Sequence, residues 1–192
     1  MDSLRALLIQ RAARLQEWPA LTVPGWGTLR YPAFRNRVEG VALGLMAGHP
    51  SVGTPCHSHT GGPWDWVCEV ACACCGLRWD PAGALVEPAL LGGARFNDED
   101  GRQPYHDRDH DLAGDLPFLG TLDQAEILRR LRRLNGSLGW DHTTTLTLPM
   151  AALASQDLRG ALWSALYAGS HAILAPGPVQ AWDPAPFRQL LS

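Results

Sequence analysis

Lysine is missing from this chain. All sixteen basic side chains among its 192 residues are arginine. A guanidinium stays protonated and is neither an amine nucleophile nor a base, so Schiff-base chemistry, a P-loop lysine and a mobile catalytic ammonium are excluded. An excess of cations is missing too: the formal net charge is −3, which argues against a general nucleic-acid binder. No apolar run reaches the roughly 18 residues of a membrane span. The opening "MDSLRALLIQRAARLQEW" is amphipathic, with interspersed arginines, and does not read as a signal peptide. Five cysteines without a secretion signal fit a reducing, cytoplasmic setting in which disulfides are not expected. Charge itself is scarce: 18% of residues are charged and 46% are hydrophobic, so a packed globule follows and wholesale disorder does not.

What is present alternates between two periodicities. Leu4, Leu7, Leu8, Ala12 and Leu15 have helical spacing over residues 3–17. "ALTVPGWGTLRY" (20–31) reads as two short strands around a Pro-Gly-Trp-Gly turn. A helix over 32–47 places Phe34, Val38, Val41, Leu45 and Met46 on one side, and "HPSVGTPCHSH" (49–59) holds a turn and a short strand. Pro63 suits the first turn of a helix that Gly76 terminates. Residues 80–119 carry the weakest pattern and form an irregular or hairpin-containing connection, with a turn signal in "FNDEDGRQPYHD". Beyond Thr121 a helix gathers Ile127, Leu128, Leu131, Leu134 and Leu138 on one face and Arg129, Arg130, Arg132 and Arg133 on the other. Residues 142–149 are β-rich, 155–168 helical and 170–175 a buried strand; 183–191 is expected to form a last helix with Asp183 at its N-cap. The alternation predicts one α/β domain over 1–192, a layered α/β/α arrangement with a largely parallel sheet and an N-terminal helix within 1–18.

"WDWVCEVACACCGLRWDPAG" (64–83) places four cysteines within eight positions. On a helical wheel Cys68, Cys72 and Cys75 form a stripe beside Asp65 and Glu69, while Cys74 falls among Val67 and Val70. Cys56, His57 or His59 can complete a tetrahedral set on that stripe. Tight zinc sites, however, take their cysteines from turns. A free cysteine also packs much as alanine does, and here the two alternate, as close helix-on-sheet packing requires. Core packing is therefore the first reading, with metal binding and redox chemistry as alternatives.

The loop "YHDRDHD" offers His106, Asp107, Asp109, His110 and Asp111 as nitrogen and oxygen ligands, but no helical pattern surrounds its two histidines, and a solvated loop is the plainer reading. "NDEDG" lacks the glycine offset and the closing glutamate of a calcium loop. No strand–G-x-S-x-G–helix elbow surrounds Ser58, so a serine hydrolase is not indicated. The arginine face of 129–133 reads as the wet side of an amphipathic helix, with anion binding as the alternative. Some of the eight tryptophans, such as Trp26 and Trp140, are candidates to line a pocket or contact a partner, with core and turn packing as the default.

Taken in order, several segments resemble the N-terminal part of the adenylate-forming superfamily, which includes acyl-CoA synthetases and the adenylation domains of peptide synthetases. "GTLRYPAFRNRVEGVALGLMA" is similar to the family's opening strand and long helix. "VGTPCHSHTGGPWDWVCEVACACCGLRWDPAG" is similar to its next strand, helix and proline turn. "HTTTLTLPMAALASQDLRGALWSALYAGSHAILAP" resembles the strand–helix–strand around the acyl pocket, and "WDPAPFRQLL" the helix after it. The resemblance covers roughly residues 18–192. It implies a phosphate loop rich in Ser, Thr and Gly and ending in Pro-Lys-Gly shortly before the helix near 121; that place holds "DLPFLGTLDQAEILRRL" instead. Backbone amides of such a loop cradle nucleotide phosphates, so its loss removes the main binding device. The family's later adenine-, magnesium- and ribose-binding segments and its C-terminal domain are also not represented.

The resemblance therefore implies a truncated, non-catalytic domain that acts by binding. Its expected partners are a second copy, another protein, or an acyl or aryl acid in a remnant pocket. No catalytic or cofactor-binding residue and no cofactor is assigned. Cys56, Cys68, Cys72, Cys75, His106 and His110 stand only as alternative metal ligands. One chain of a split synthetase and a small Cys/His metal protein are the alternative functions, and whether the chain is an enzyme is left open, with the absences above weighing against it.

Overall fold

The computed structural model describes residues 3–86, 96, 116–153 and 155–192. "NDEDG", "YHDRDHD" and with them His106 and His110 lie outside those residues, as does most of the expected turn after Phe96.

Five helices and nine strands are built from the described residues. Helix α1 (Leu4–Arg14) is capped by the Ser3 hydroxyl, which accepts from the Ala6 amide. Strands β1 (Pro19–Val23) and β2 (Gly27–Arg30) form an antiparallel hairpin around the Pro-Gly-Trp-Gly turn. Helix α2 (Tyr31–Met46) follows. Then come β3 (Pro55–His57), α3 (Trp64–Cys74), β4 (Arg78–Trp79) and β5 (Ala84–Leu85). Next are β6 (Pro117–Leu119), β7 (Leu122–Asp123), α4 (Gln124–Leu138), β8 (Thr145–Pro149), α5 (Gln156–Ala168) and β9 (His171–Ala175).

The architecture is α/β with parallel-dominated strands, which the alternation predicts. The strands divide between two sheets, ordered β2-β1-β9-β8 and β5-β3-β4-β6-β7. In the first, β9 runs parallel to both β1 and β8; in the second, β3 is parallel to β4 and β5, and β4 to β6. The units β3–α3–β4 and β8–α5–β9 are helical crossovers between parallel neighbours, as parallel pairing demands. Helices α2 and α5 lie against the first sheet, α3 against the second, and the helical layers meet between the sheets. Where they meet, Trp163 of α5 is edge-on to Trp66 of α3 at 4.9 Å and to Phe118 of β6 at 5.9 Å. Gln124 joins three helices: its side chain accepts from the Leu4 amide and donates to the Ala73 carbonyl, both at 2.9 Å.

Two expectations change. The segment 183–191 is not an α-helix but a single 3-10 turn, Ala185–Phe187. Pro184 and Pro186 remove the amide donors that a longer helix would use. Asp183 still acts as a local cap, its carboxylate accepting from the Ala185 amide at 2.9 Å. The arginine face is also less uniform than its spacing suggests. Arg130 is half-buried and donates to the carbonyls of Gln189, Leu190 and Ser192, whereas Arg129, Arg132 and Arg133 are exposed.

Candidate functional site

Strand β3 ends at His57, and the chain passes through Ser58–Pro63 into α3. Asp65, in the first turn of α3, folds this loop onto the helix N-terminus. Its Oδ1 accepts from the Ser58 hydroxyl at 2.6 Å and from the Thr60 amide and hydroxyl at 2.8 Å, and its Oδ2 accepts from the Gly61 amide at 2.8 Å. A carboxylate at the positive end of a helix is stabilised there. Ser58 is thereby held as a hydrogen-bond donor to the Asp65 carboxylate.

One turn further along α3 lies Glu69, fully buried in a helix whose residues other than it and Asp65 are all apolar. Its Oε1 accepts from the Trp163 indole nitrogen at 2.9 Å, and its Oε2 lies 3.1 Å from Nε of Arg159. That ion pair is misaligned for hydrogen bonding, so Oε2 and Nε are electrostatic neighbours without a bond between them. Burial raises the Glu69 proton affinity, and the opposing pull of Arg159 and Trp163 does not cancel it. Arg159 and Trp163 are one turn apart on α5, so a single helix face supplies both partners.

The loop, α3 and the N-terminal end of α5 enclose a cleft of about 470 Å³. Its apolar wall includes Trp66, Trp79, Met150 and Leu153, and its polar groups include Glu69 and Arg159. His57 also lines it, with Nδ1 buried and without a hydrogen-bond partner. Among the described residues, Glu69 is the one ionic partner of the Arg159 guanidinium. A guanidinium has five donors, and among the described residues those on its terminal nitrogens have no acceptor.

The cysteines form part of the packed interior. All five are free and buried. Cys72 Sγ lies 2.8 Å from Cys56 Sγ on β3, and burial, with the neighbouring Cys56 and Cys68 thiols, raises the Cys72 proton affinity. Cys72 and Cys75 have C-x-x-C spacing, yet they diverge: the Cys75 thiol donates to the Ala42 carbonyl of α2 at 3.6 Å. The stripe Cys68–Cys72–Cys75 therefore does not converge on one point. Among the described residues no group of three or more His, Cys, Asp or Glu side chains is arranged to hold a metal ion. His59 is exposed. Trp26 packs against Trp64 and Phe96, and Trp140 against Phe187, which Trp182 stacks on from 5.6 Å.

Sequence reasoning placed Asp65 and Glu69 on the cysteine stripe but did not find Arg159 as partner. The available signal was a glutamate inside an apolar helix, since a buried charge demands a counter-charge.

The hairpin β6/β7 has a two-residue turn, Gly120-Thr121, with Leu119 paired directly to Leu122. Gly120 adopts φ +57°, the left-handed conformation a tight turn needs. This is the position at which the resemblance expects a phosphate loop.

No protein-family model and no curated protein matches this sequence. Solved structures do match in fold. VinN superimposes with a TM-score of 0.69 at 11% identity, over 90% of this chain and 59% of VinN. The N-terminal subdomain of Klebsiella oxytoca NpsA, in complex with 3-hydroxybenzoyl-AMSN, gives 0.70 at 13% identity, over 93% of this chain and 55% of its own. The fatty acyl-adenylate ligase from L. pneumophila, in complex with acyl adenylate and pyrophosphate, gives 0.67 at 14% identity, over 92% and 40%. The chain thus spans less than two thirds of each of these proteins. Its fold is that of the N-terminal subdomain of adenylate-forming enzymes.

Proposed function

We propose that this chain is a non-catalytic binding domain for a small carboxylic acid, acyl or aryl, held in the cleft between α3 and α5. The observation that carries this reading is Arg159: a guanidinium at the wall of an apolar cleft, with its terminal nitrogens unclaimed by Glu69. Arginine is suited to a carboxylate because its planar fork pairs both oxygens. Trp66 and Trp79 offer the apolar contact that an aryl or acyl group needs, and the cleft volume suits a small molecule. The neighbours' bound species, an aryl-AMSN in NpsA and an acyl adenylate in the ligase, are consistent with this ligand class.

The Gly120-Thr121 turn supports the non-catalytic half of the reading. Two residues between paired strands provide no run of amides for a triphosphate, and the chain has no lysine to stabilise an acyl-phosphate transition state. Calorimetric titration with benzoate, hydroxybenzoates and short straight-chain acids tests the proposal. Saturable binding by at least one class is expected, weakened about tenfold or more in Arg159→Gln, the loss of one charge-assisted contact of roughly 1.5–3 kcal/mol. ATP–pyrophosphate exchange by the isolated chain would overturn it; exchange only with a second polypeptide would favour the split-synthetase alternative.

Self-association is a second reading, favoured by β8. It is an edge strand of the first sheet, and an apolar groove lined by Trp140, Leu146, Trp182 and Phe187 runs beside it. Exposed edges pair readily with another strand. Sedimentation over a hundredfold range of concentration distinguishes a dimer from a monomer.

A further inference from the structure

Of the five buried thiols, one pair has a geometry that core packing does not require. Cys56 Sγ and Cys72 Sγ are 2.8 Å apart, less than an ångström beyond the ~2.05 Å of an S–S bond. Each sulfur hangs from a constrained backbone. Cys56 is paired on both sides, to Trp79 of β4 and Ala84 of β5. Gly83 sits so close that a Cβ there would approach the Cys56 nitrogen to 2.6 Å. Cys72 is in the third turn of α3, and its neighbours in sequence are buried.

We infer that Cys56 and Cys72 are a peroxide-sensitive pair that closes to an intramolecular disulfide and reopens with a thiol reductant. The two thiols are unlike. The hydrogen bond from Cys72 lowers the proton affinity of Cys56, whereas burial raises that of Cys72. Cys56 is thus the sulfur that ionises, and the thiolate is the reactive form. It is also the more accessible, at 6% exposure against 0% for Cys72, and lies beside β5, a two-residue strand at the sheet edge.

The oxidant is hydrogen peroxide. The Cys56 thiolate attacks one peroxide oxygen; an S–O bond forms, the O–O bond breaks and hydroxide leaves, to be protonated to water. The Cys72 sulfur then attacks the resulting sulfenic sulfur. An S–S bond forms, the S–O bond breaks, and the departing hydroxide takes the Cys72 proton. Two thiols and one peroxide give one disulfide and two waters. Cys74 and Cys75 are not placed to compete: Cys75 bonds the Ala42 carbonyl, and Cys74 is 4% exposed with its proton affinity raised by burial.

The test is intact-mass and peptide-mapping spectrometry of the reduced full chain after graded hydrogen peroxide. The expected product has lost two hydrogen atoms, links the peptides of Cys56 and Cys72, and reverts fully with dithiothreitol. Cys74→Ser should leave it unchanged, and Cys56→Ser should abolish it. Should Cys56→Ser fail to fold, mapping of the wild-type linkage decides alone. A Cys68–Cys72 linkage, an intermolecular disulfide or a sulfinic acid at Cys56 would each overturn the inference. So would unchanged thiols at a dose that oxidises a short cysteine peptide. These outcomes are independent of whether the cleft binds an acid.

Discussion

Helices α3 and α4 reach the same conformation by opposite means. In α3, ten of eleven residues are buried, including β-branched valines and three cysteines, which are mediocre helix formers. No side chain caps its N-terminal Pro63. In α4, four of fifteen residues are buried, and the helix is assembled locally. Asp123 accepts from the Glu126 amide at 2.6 Å, Glu126 pairs with Arg129 and Arg130, and Gly139 closes the end in the left-handed conformation. Tertiary packing specifies α3, and local sequence specifies α4. The contrast extends to chemistry. Groups that packing has forced together, Glu69 with Arg159 and Cys72 with Cys56, occur on α3; on α4 the charges are mostly solvated.

The difference breaks most severely at the α3–α5 contact. Trp163→Ala removes a fully buried ring from Trp66 and Phe118 and strips Glu69 of its indole donor. A loss of about 3–5 kcal/mol is expected in urea unfolding. A loss under 1 kcal/mol would mean that α3 is not held by α5. The Glu69 carboxyl sharpens the same point through pH. Its proton affinity is higher folded than unfolded, so the folded state binds the proton more tightly. Its contribution is therefore complete below the unfolded value of 4.5 and is lost as pH rises through the folded value. Melts across pH 5–8 should show that downward slope in the wild type and a flatter one in Glu69→Gln, where the indole bond survives. An identical slope in the two proteins rules out Glu69 as its source. On α4, removal of the cap by Asp123→Ala should cost about 1 kcal/mol, seen as a small shift of the same unfolding midpoint.

The same contrast governs what could be read from the sequence. Elements with local signals were legible: the leucine face of α4, the hairpin turn after Pro24 and the stop at Gly76. The β/α alternation showed the class of fold but could not show that the strands divide between two sheets. Pairings such as Leu21 with Ala172 span most of the chain and leave no local trace. The helix expected over 183–191 from its Asp183 cap gives way to a 3-10 turn because Pro184 and Pro186 have no amide hydrogen to donate. At the candidate site, a charge within an apolar run was the readable signal at Glu69, whereas its counter-ion lies ninety positions away, beyond any periodicity. The cysteines read correctly as buried, but the Cys56–Cys72 approach depends on how β3 meets α3, and no spacing rule contains that.

The smallest predicted effects lie within the arginines of α4, where spacing alone treats four residues as equivalent. Arg132 and Arg133 are exposed, and replacing either with alanine should change stability by no more than ~0.5 kcal/mol. Arg130 differs because it reaches across to the C-terminal turn. Its Nε contacts Glu126 at 2.8 Å, and its Nη1 donates to the Ser192 carbonyl at 2.7 Å and the Gln189 carbonyl at 3.0 Å. Arg130→Ala should therefore cost about 1 kcal/mol, near the net value of one intramolecular hydrogen bond, because the carbonyls can turn to water when the donor is lost. Hydrogen exchange gives the more selective readout: the amide of Leu190, which bonds the Phe187 carbonyl at 3.0 Å, should exchange faster in Arg130→Ala and unchanged in Arg132→Ala. Equal exchange in both variants would show that the turn holds itself, and that all four arginines form a solvated face after all.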